Sequence, residues 1–248
     1  EMAGLKPSGV ICEIMAEDGD MLRGDNLETF TKHHKLKIIS IEDLIRYKRK
    51  TEKLITKLES VNLPTDYGKF EFHLYQSEFD DKQHIALTHG DYQNQDSVLV
   101  RVHSECLTGD VFLSKRCDCG IQLNSAMKEI VNNGSGIIIY LKQEGRGIGL
   151  KHKIKAYKLQ EKGLDTVEAN EKLGFPPDMR DYGVGAQILK DLKIKKLKIM
   201  TNNPKKLVGL EGHGLEITGR VQMDIENNPD NQKYLSTKKA KMGHMIDI

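Results

Sequence analysis

The sequence has no apolar run long enough to cross a membrane and no signal-peptide pattern at its start. It has no internal repeat and no low-complexity segment. Its charges nearly cancel, with 38 Lys and Arg against 36 Asp and Glu. No overall basic field therefore draws it to nucleic acid, and neither nucleic acid nor a membrane is expected as a partner. Cysteine is scarce, at four in 248 residues. With 38% hydrophobic and 30% charged residues the chain reads as globular, not disordered. A cytoplasmic, enzyme-like chain is the expectation.

Three of the four cysteines fall within fourteen residues, in R-V-H-S-E-C-L-T-G-D-V-F-L-S-K-R-C-D-C-G. Cys106, Cys117 and Cys119 form C-x10-C-x-C, and thiolates so spaced suit tetrahedral zinc. Three protein ligands leave the fourth position open, which is the catalytic pattern. A disulfide or buried free thiols are the alternatives, and the first needs an oxidising compartment for which nothing else argues. His103 to Glu105 also form an H-x-E element like that of zinc nucleobase deaminases. Their partner motif is P-C-x-x-C, whereas here it is C-x-C without proline. Deaminase is therefore the distant rival, and His103 is expected to face substrate or to be an ordinary strand histidine.

Taken in order, an apolar strand over residues 10–15 leads into a turn at 17–20. A helix over 27–34, a short strand at 36–40 and a helix over 41–47 follow. The basic residues of 47–62 read as a charged, solvated linker. Alternation at Phe70, Phe72 and Leu74, then runs at 84–88 and 98–102, predict antiparallel strands before the cysteines. Leu123, Met127, Ile130 and Val131 fall at helical spacing, stopped by Gly134. The run 137–141 is expected to be a buried strand. It is followed by Q-E-G-R-G-I-G-L, whose glycines suit a loop bringing backbone N–H groups to a phosphate. A plain strand-to-helix turn explains such a loop equally well. Helices over 151–162 and 185–192 and a strand at 197–200 complete the pattern. The fold class is α/β (mixed α+β), a mixed sheet with flanking helices.

Together R-V-H-S-E-C-L-T-G-D, C-D-C-G-x-Q-L, Q-E-G-R-G-I-G-L and T-N-N-P-K-K resemble GTP cyclohydrolase II, from residue 63 to the end. The resemblance implies hydrolysis of GTP to a 2,5-diaminopyrimidinone nucleotide, formate and pyrophosphate, in riboflavin synthesis. It implies one Zn2+ per subunit on Cys106, Cys117 and Cys119, Mg2+ with the triphosphate, and a homodimer. It makes Arg101, Val102, His103, Ser104, Glu105, Gln122, Glu144, Gly145, Arg146, Thr166, Thr201 and Lys206 GTP contacts. Glu144 is the group expected on the Mg2+ side, and Glu168 is a candidate for the guanine edge. Asp178 matches the proton acceptor, Arg180 the nucleophile, and Tyr157 a tyrosine beside the metal. A guanidinium has no free lone pair, so charge stabilisation is the physical role expected of Arg180.

The opening A-G-L-x-P-S-G-V-I-C-E-I-M and the later S-I-E-D-L-I resemble the end of 3,4-dihydroxy-2-butanone 4-phosphate synthase, with Glu13 matching a substrate-binding glutamate. That family's metal-binding glutamate and histidine lie upstream of this stretch, so synthase activity is not expected from it. The expected layout is a synthase remnant at 1–46, a linker at 47–62 and a cyclohydrolase domain at 63–248.

Overall fold

The apolar run Gly136–Leu141 is buried along nearly its whole length, as expected of a strand covered on both faces. The computed structural model describes residues 2, 4–78, 81–223 and 227–246. It divides the chain into two units, 1–48 and 49–248.

In the first unit the expected helix is α1 (Gly24–His33), followed by α2 (Ile41–Thr51), which runs across the division. The two expected strands are absent. Residues 10–15 contribute only an isolated bridge, Met15 to Met21, and 36–40 are irregular. A strand needs a ladder partner, and Val10, Ile11 and Ile39 are largely exposed within this unit. Glu13 is exposed as well.

In the second unit the described residues form one seven-stranded sheet: β1 (Ile55–Pro64), β2 (Lys69–Ser77), β3 (Gln83–His89), β4 (Val98–Ser104), β5 (Gly136–Leu141), β6 (Lys196–Met200) and β7 (Glu216–Val221). Their order is β1-β2-β3-β5-β4-β6-β7. β1, β2, β3 and β5 pair antiparallel, whereas β5, β4, β6 and β7 run parallel. The helices are α3 (Leu107–Asp110), α4 (Cys119–Asn132), α5 (Gly149–Gln160), α6 (Thr166–Lys172), α7 (Gly183–Asp191), α8 (Pro204–Glu211) and α9 (Gln232–Met242).

Two apolar layers flank the sheet. Ile137, Ile139, Val100 and Val102 pack with Ala186, Ile188 and Leu189 of α7. Ile138 and Leu99 pack with Ala126, Met127 and Ile130 of α4. This arrangement puts the ends of the parallel strands β4, β5 and β6 at one edge, where open α/β sheets bind their ligands. No helix among the described residues is long and apolar enough to cross a membrane.

Residues 47–62 depart from the linker reading. They are the end of α2 and most of β1, which pairs with β2 from Ile55 opposite Ser77 to Pro64 opposite Lys69. β1 is an edge strand with mostly exposed side chains, so its charges resemble those of a solvated connector. A chain begun at Leu63 loses most of β1, including the buried Ile55. It should melt at a lower temperature than one begun at Arg49. Equal midpoints in thermal unfolding would show β1 to be dispensable.

Candidate active site

Each parallel strand delivers chemistry where it ends. β4 leads directly into Glu105 and Cys106, β5 into the loop of Glu144 to Gly147, and β6 into Thr201 to Asn203. All the site residues expected from sequence in the cyclohydrolase stretch line one cavity except Val102, Asp178 and Glu168. Val102 lies in the core, and only its carbonyl faces the site, accepting from Lys206 Nζ at 2.6 Å. Inward and outward residues alternate along β4, so a contact segment in sequence cannot present every side chain.

The sulfur atoms of Cys106, Cys117 and Cys119 lie within 4.8 Å of one another. The 3.6 Å between Cys106 Sγ and Cys117 Sγ excludes a disulfide in this structure. Crowding lets one thiol ionise at its neighbours' expense. Hydrogen bonds from Cys117 and Cys119, with Lys153 adding its charge, draw the Cys106 thiol far below its ordinary value. The same contacts and burial push Cys119 well up. Three convergent thiols in a partly charged cluster fit a thiophilic metal ion. Gly109 makes the convergence possible, because a Cβ there would lie 3.0 Å from Cys117 Sγ and 3.2 Å from Cys106 Sγ.

His103 is engaged by Asp110 and does not join the thiol cluster. Its Nε2 lies 3.1 Å from Asp110 Oδ1, and Asp110 also accepts from Tyr140 Oη and the Cys106 N–H. Asp110 therefore fixes both the histidine and the backbone of Cys106. It stands in the quoted motif but carried no assigned role, since one aspartate in a turn gives no signal by itself. Tyr157 lies beside the thiols as expected, with its Oη 3.2 Å from Thr108 Oγ1. Burial raises its phenol, so it stays protonated.

Glu144 departs from expectation. Oε2 accepts from the Leu107 N–H at 2.7 Å, while Oε1 accepts from the Gly145 N–H and from Lys153 Nζ at 2.8 Å. Lys153 Nζ also lies 3.1 Å from Cys106 Sγ. The glutamate thus braces the thiol cluster. Gly145 and Arg146 are both left-handed, at φ 62° and 61°. That is strained for an arginine and turns its side chain into the cavity, where it reaches Thr166 Oγ1 at 3.3 Å. Glu168 serves elsewhere: its carboxylate accepts from the Asp165 N–H and from Lys241, in the capping box of α6. The spacing Asp165-x-x-Glu168 was the available signal for that box.

The cavity is also lined by buried cations. Arg101, 4% exposed, donates to Met200 O at 2.9 Å and to Gln122 Oε1 at 2.5 Å, and its Nε is buried without a partner. Lys206, 5% exposed, forms no salt bridge among the described residues, and its Nζ donates to Val102 O. Burial, then Arg101, Arg180 and Lys238, draw its ammonium well below the ordinary lysine value. Glu105 is occupied by Lys142, and Thr201 Oγ1 braces its own turn by accepting from the Asn203 N–H. Arg180 forks onto Asp178, Nε to Oδ1 at 2.8 Å and NH2 to Oδ2 at 2.6 Å. Burial pushes the Asp178 carboxyl up, but the paired arginine outweighs it and holds the group below the usual carboxylate range. Held so, Asp178 is a weak base and a strong anchor for Arg180.

A family model described as GTP cyclohydrolase II matches residues 56–222, more than half of the chain. The chain belongs to the GTP cyclohydrolase II family. A second model, 3,4-dihydroxy-2-butanone 4-phosphate synthase, matches residues 1–47. The riboflavin biosynthesis protein RibBA of Aquifex aeolicus is 58% identical over 246 residues, covering 99% of this chain and 61% of that protein. RibBA of Bacillus mycoides is 54% identical over 248 residues, covering all of this chain and 62% of that protein. The chain thus spans about three-fifths of these relatives. A crystal structure of RibBX from A. baumannii, titled a two-domain 3,4-dihydroxy-2-butanone 4-phosphate synthase, is similar with a TM-score of 0.51 and 27% identity. It covers 85% of this chain and 53% of that one. The start of the GTP cyclohydrolase II match at residue 56 agrees with β1 as part of that unit.

Proposed function

We propose that the chain hydrolyses GTP to the 2,5-diaminopyrimidinone nucleotide, formate and pyrophosphate, as a riboflavin-pathway enzyme. One observation carries the reading: a single cavity is lined both by a thiol trio and by the buried cations Arg101 and Lys206, which form no salt bridge among the described residues. Buried charge of one sign is costly unless a ligand brings the opposite sign. A triphosphate supplies it, and the purine is left toward the sulfur atoms.

Cys106, Cys117 and Cys119 would hold zinc, which supplies Lewis-acid activation of water for attack at the purine C8. Lys153 and Glu144 keep Cys106 in place, while Asp110 orients His103 and the Cys106 backbone. Tyr157, protonated beside the thiols, is placed to give a proton to the opening ring. Gln122, Ser104 and Thr166 offer neutral polar contacts. Arg101, Arg146 and Lys206 bind phosphate oxygens. Arg180, fixed by Asp178, stabilises charge as pyrophosphate leaves. Mg2+ arrives with the triphosphate, whose oxygens suit it. Zinc-bound thiolates and a reducing cytoplasm are consistent with each other, and a homodimer with one zinc per subunit completes the reading.

Formate, pyrophosphate and ammonia released from GTP test this together. Formate and pyrophosphate without ammonia are expected. Ammonia alone would indicate a deaminase, and GTP binding without release would indicate a nucleotide-binding module. In the same assay Arg180→Lys should retain slowed pyrophosphate release, because a cation remains without the bidentate fork. A covalent nucleotide adduct on Arg180 would overturn the charge-stabilising role.

A further inference from the structure

Residues 227–246 lie beyond the stretch that the family model matches, yet they wall one side of the cavity. Three ties hold this segment in place. Lys238 Nζ donates to both carboxylate oxygens of Asp118, at 2.9 and 3.0 Å, between Cys117 and Cys119. Lys241 pairs with Asp165 and Glu168 at the start of α6. Beyond α9, Gly243 turns the chain at φ 66°, and the Met245 N–H donates to Asn202 O at 2.9 Å in the loop after β6.

These ties bring Tyr234, Lys238 and His244 into the cavity lining. The Tyr234 ring lies 5.8 Å from the Arg146 guanidinium and 5.0 Å from Lys238 Nζ. His244 is 8% exposed, and its Nδ1 is buried without a hydrogen-bond partner. Buried polar atoms are nearly always satisfied, so an orphan nitrogen on a cavity wall marks a place for a ligand atom. The neighbours indicate the ligand's charge. Burial, then Lys238, Arg180 and Arg146, push the His244 imidazole down to about 3, against a smaller opposing pull from the Asp118 carboxylate, which Lys238 already pairs. The ring is therefore neutral, with one N–H to donate and one nitrogen to accept. Among cations, the fitting guest is an anionic oxygen.

We propose that residues 232–246 form a wall of the nucleotide site and that His244 donates a hydrogen bond to a phosphate oxygen of the bound nucleotide. The contact rests on reading the cavity as a GTP site. Lys238 is a positioning residue: through Asp118 it joins this wall to the loop carrying Cys117 and Cys119. His244 and the arginines then face one phosphate group from two directions, one contributing a neutral donor and the others charge.

The test uses the full chain with His244→Phe, which keeps a ring but no donor, and His244→Gln, which keeps an N–H. Titration calorimetry follows two probes, a GTP analogue with a methylene α–β bridge and guanosine. His244→Phe is expected to bind the analogue about 10-fold more weakly, the loss of one hydrogen bond to a charged group. Guanosine affinity should be unchanged, and His244→Gln should recover part of the loss. Lys239→Ala, on the exposed face of α9, should match the wild type. Equal analogue affinity in wild type and His244→Phe overturns the contact alone. Equal losses for analogue and guanosine also overturn it, since they indicate a purely structural role. A wild-type chain that binds neither probe overturns the GTP reading and the contact with it.

Discussion

Replacing Cys117 by serine is expected to abolish formate release from GTP and to strip zinc from the protein. Cys117 is buried, and its sulfur atom stands 3.6 Å from that of Cys106. Removing a mere hydrogen-bond partner of a metal ligand typically costs about 10–100-fold in affinity or activity, so losing a ligand itself should exceed that. Arg101, Lys206 and Arg180 keep anchors on Met200 O, Val102 O and Asp178 that do not involve Cys117. Affinity for a GTP analogue should therefore change little. Metal content by elemental analysis and formate by a coupled assay settle it. Full zinc and wild-type formate in the variant would refute the metal assignment.

Asp118→Ala should be the most destabilising single change at the site. The Asp118 carboxylate is fully buried, bound by Lys238 Nζ on both oxygens and by Gln122 Nε2 at 2.6 Å. Burial pushes its carboxyl up, but Lys238 outweighs that and holds it below the usual range. Removing one partner of a buried pair leaves the other uncompensated, at a cost of about 3–5 kcal/mol. For a chain of this size that corresponds to a midpoint lowered by roughly 10 °C. Gln122 also loses its anchor, and with it the orientation that meets Arg101. The double variant Asp118→Ala with Lys238→Met should recover much of the loss, because no unpaired charge remains. A single variant that melts within a degree of the wild type would show the pair to be solvated.

The parts of the site visible in sequence were those whose chemistry is local. Three cysteines at fixed spacing converge because one short loop and one helix start hold them, and a glycine-rich loop after an apolar strand announces itself. Asp178 and Arg180, two residues apart, form the ion pair that the sequence offered as the alternative to a base and a nucleophile, mostly buried in the fold and not exposed. Side chains that work through distant partners left no such mark. Glu144 looked like a free acid until Lys153 and two backbone N–H groups claimed it. α9 escaped for a different reason. Its sequence, QKYLSTKKAKM, carries little apolar surface, and its buried face includes Thr237 and Lys238 beside Leu235 and Met242. A helix held by ion pairs shows no hydrophobic stripe. The strands expected at 10–15 and 36–40 failed in the opposite way: their apolar pattern is present, but no ladder partner is. β1 was obscured because an edge strand with charged side chains reads as a solvated connector.

The 120-position separation of Asp118 and Lys238 sets an order of events during synthesis. At roughly 5–20 residues per second, the aspartate leaves the ribosome on the order of 10 s before the lysine that neutralises it. In that interval the cysteine loop is tethered to β4 and α4 but not yet locked from the other side. The nascent chain therefore passes through a stage in which the sheet can assemble while the pocket still lacks a wall. A ribosome that stalls between the two codons leaves a chain with all three thiols and no counter-charge beside them. α9, which emerges well after the cysteine loop, is thus the helix that finishes the site.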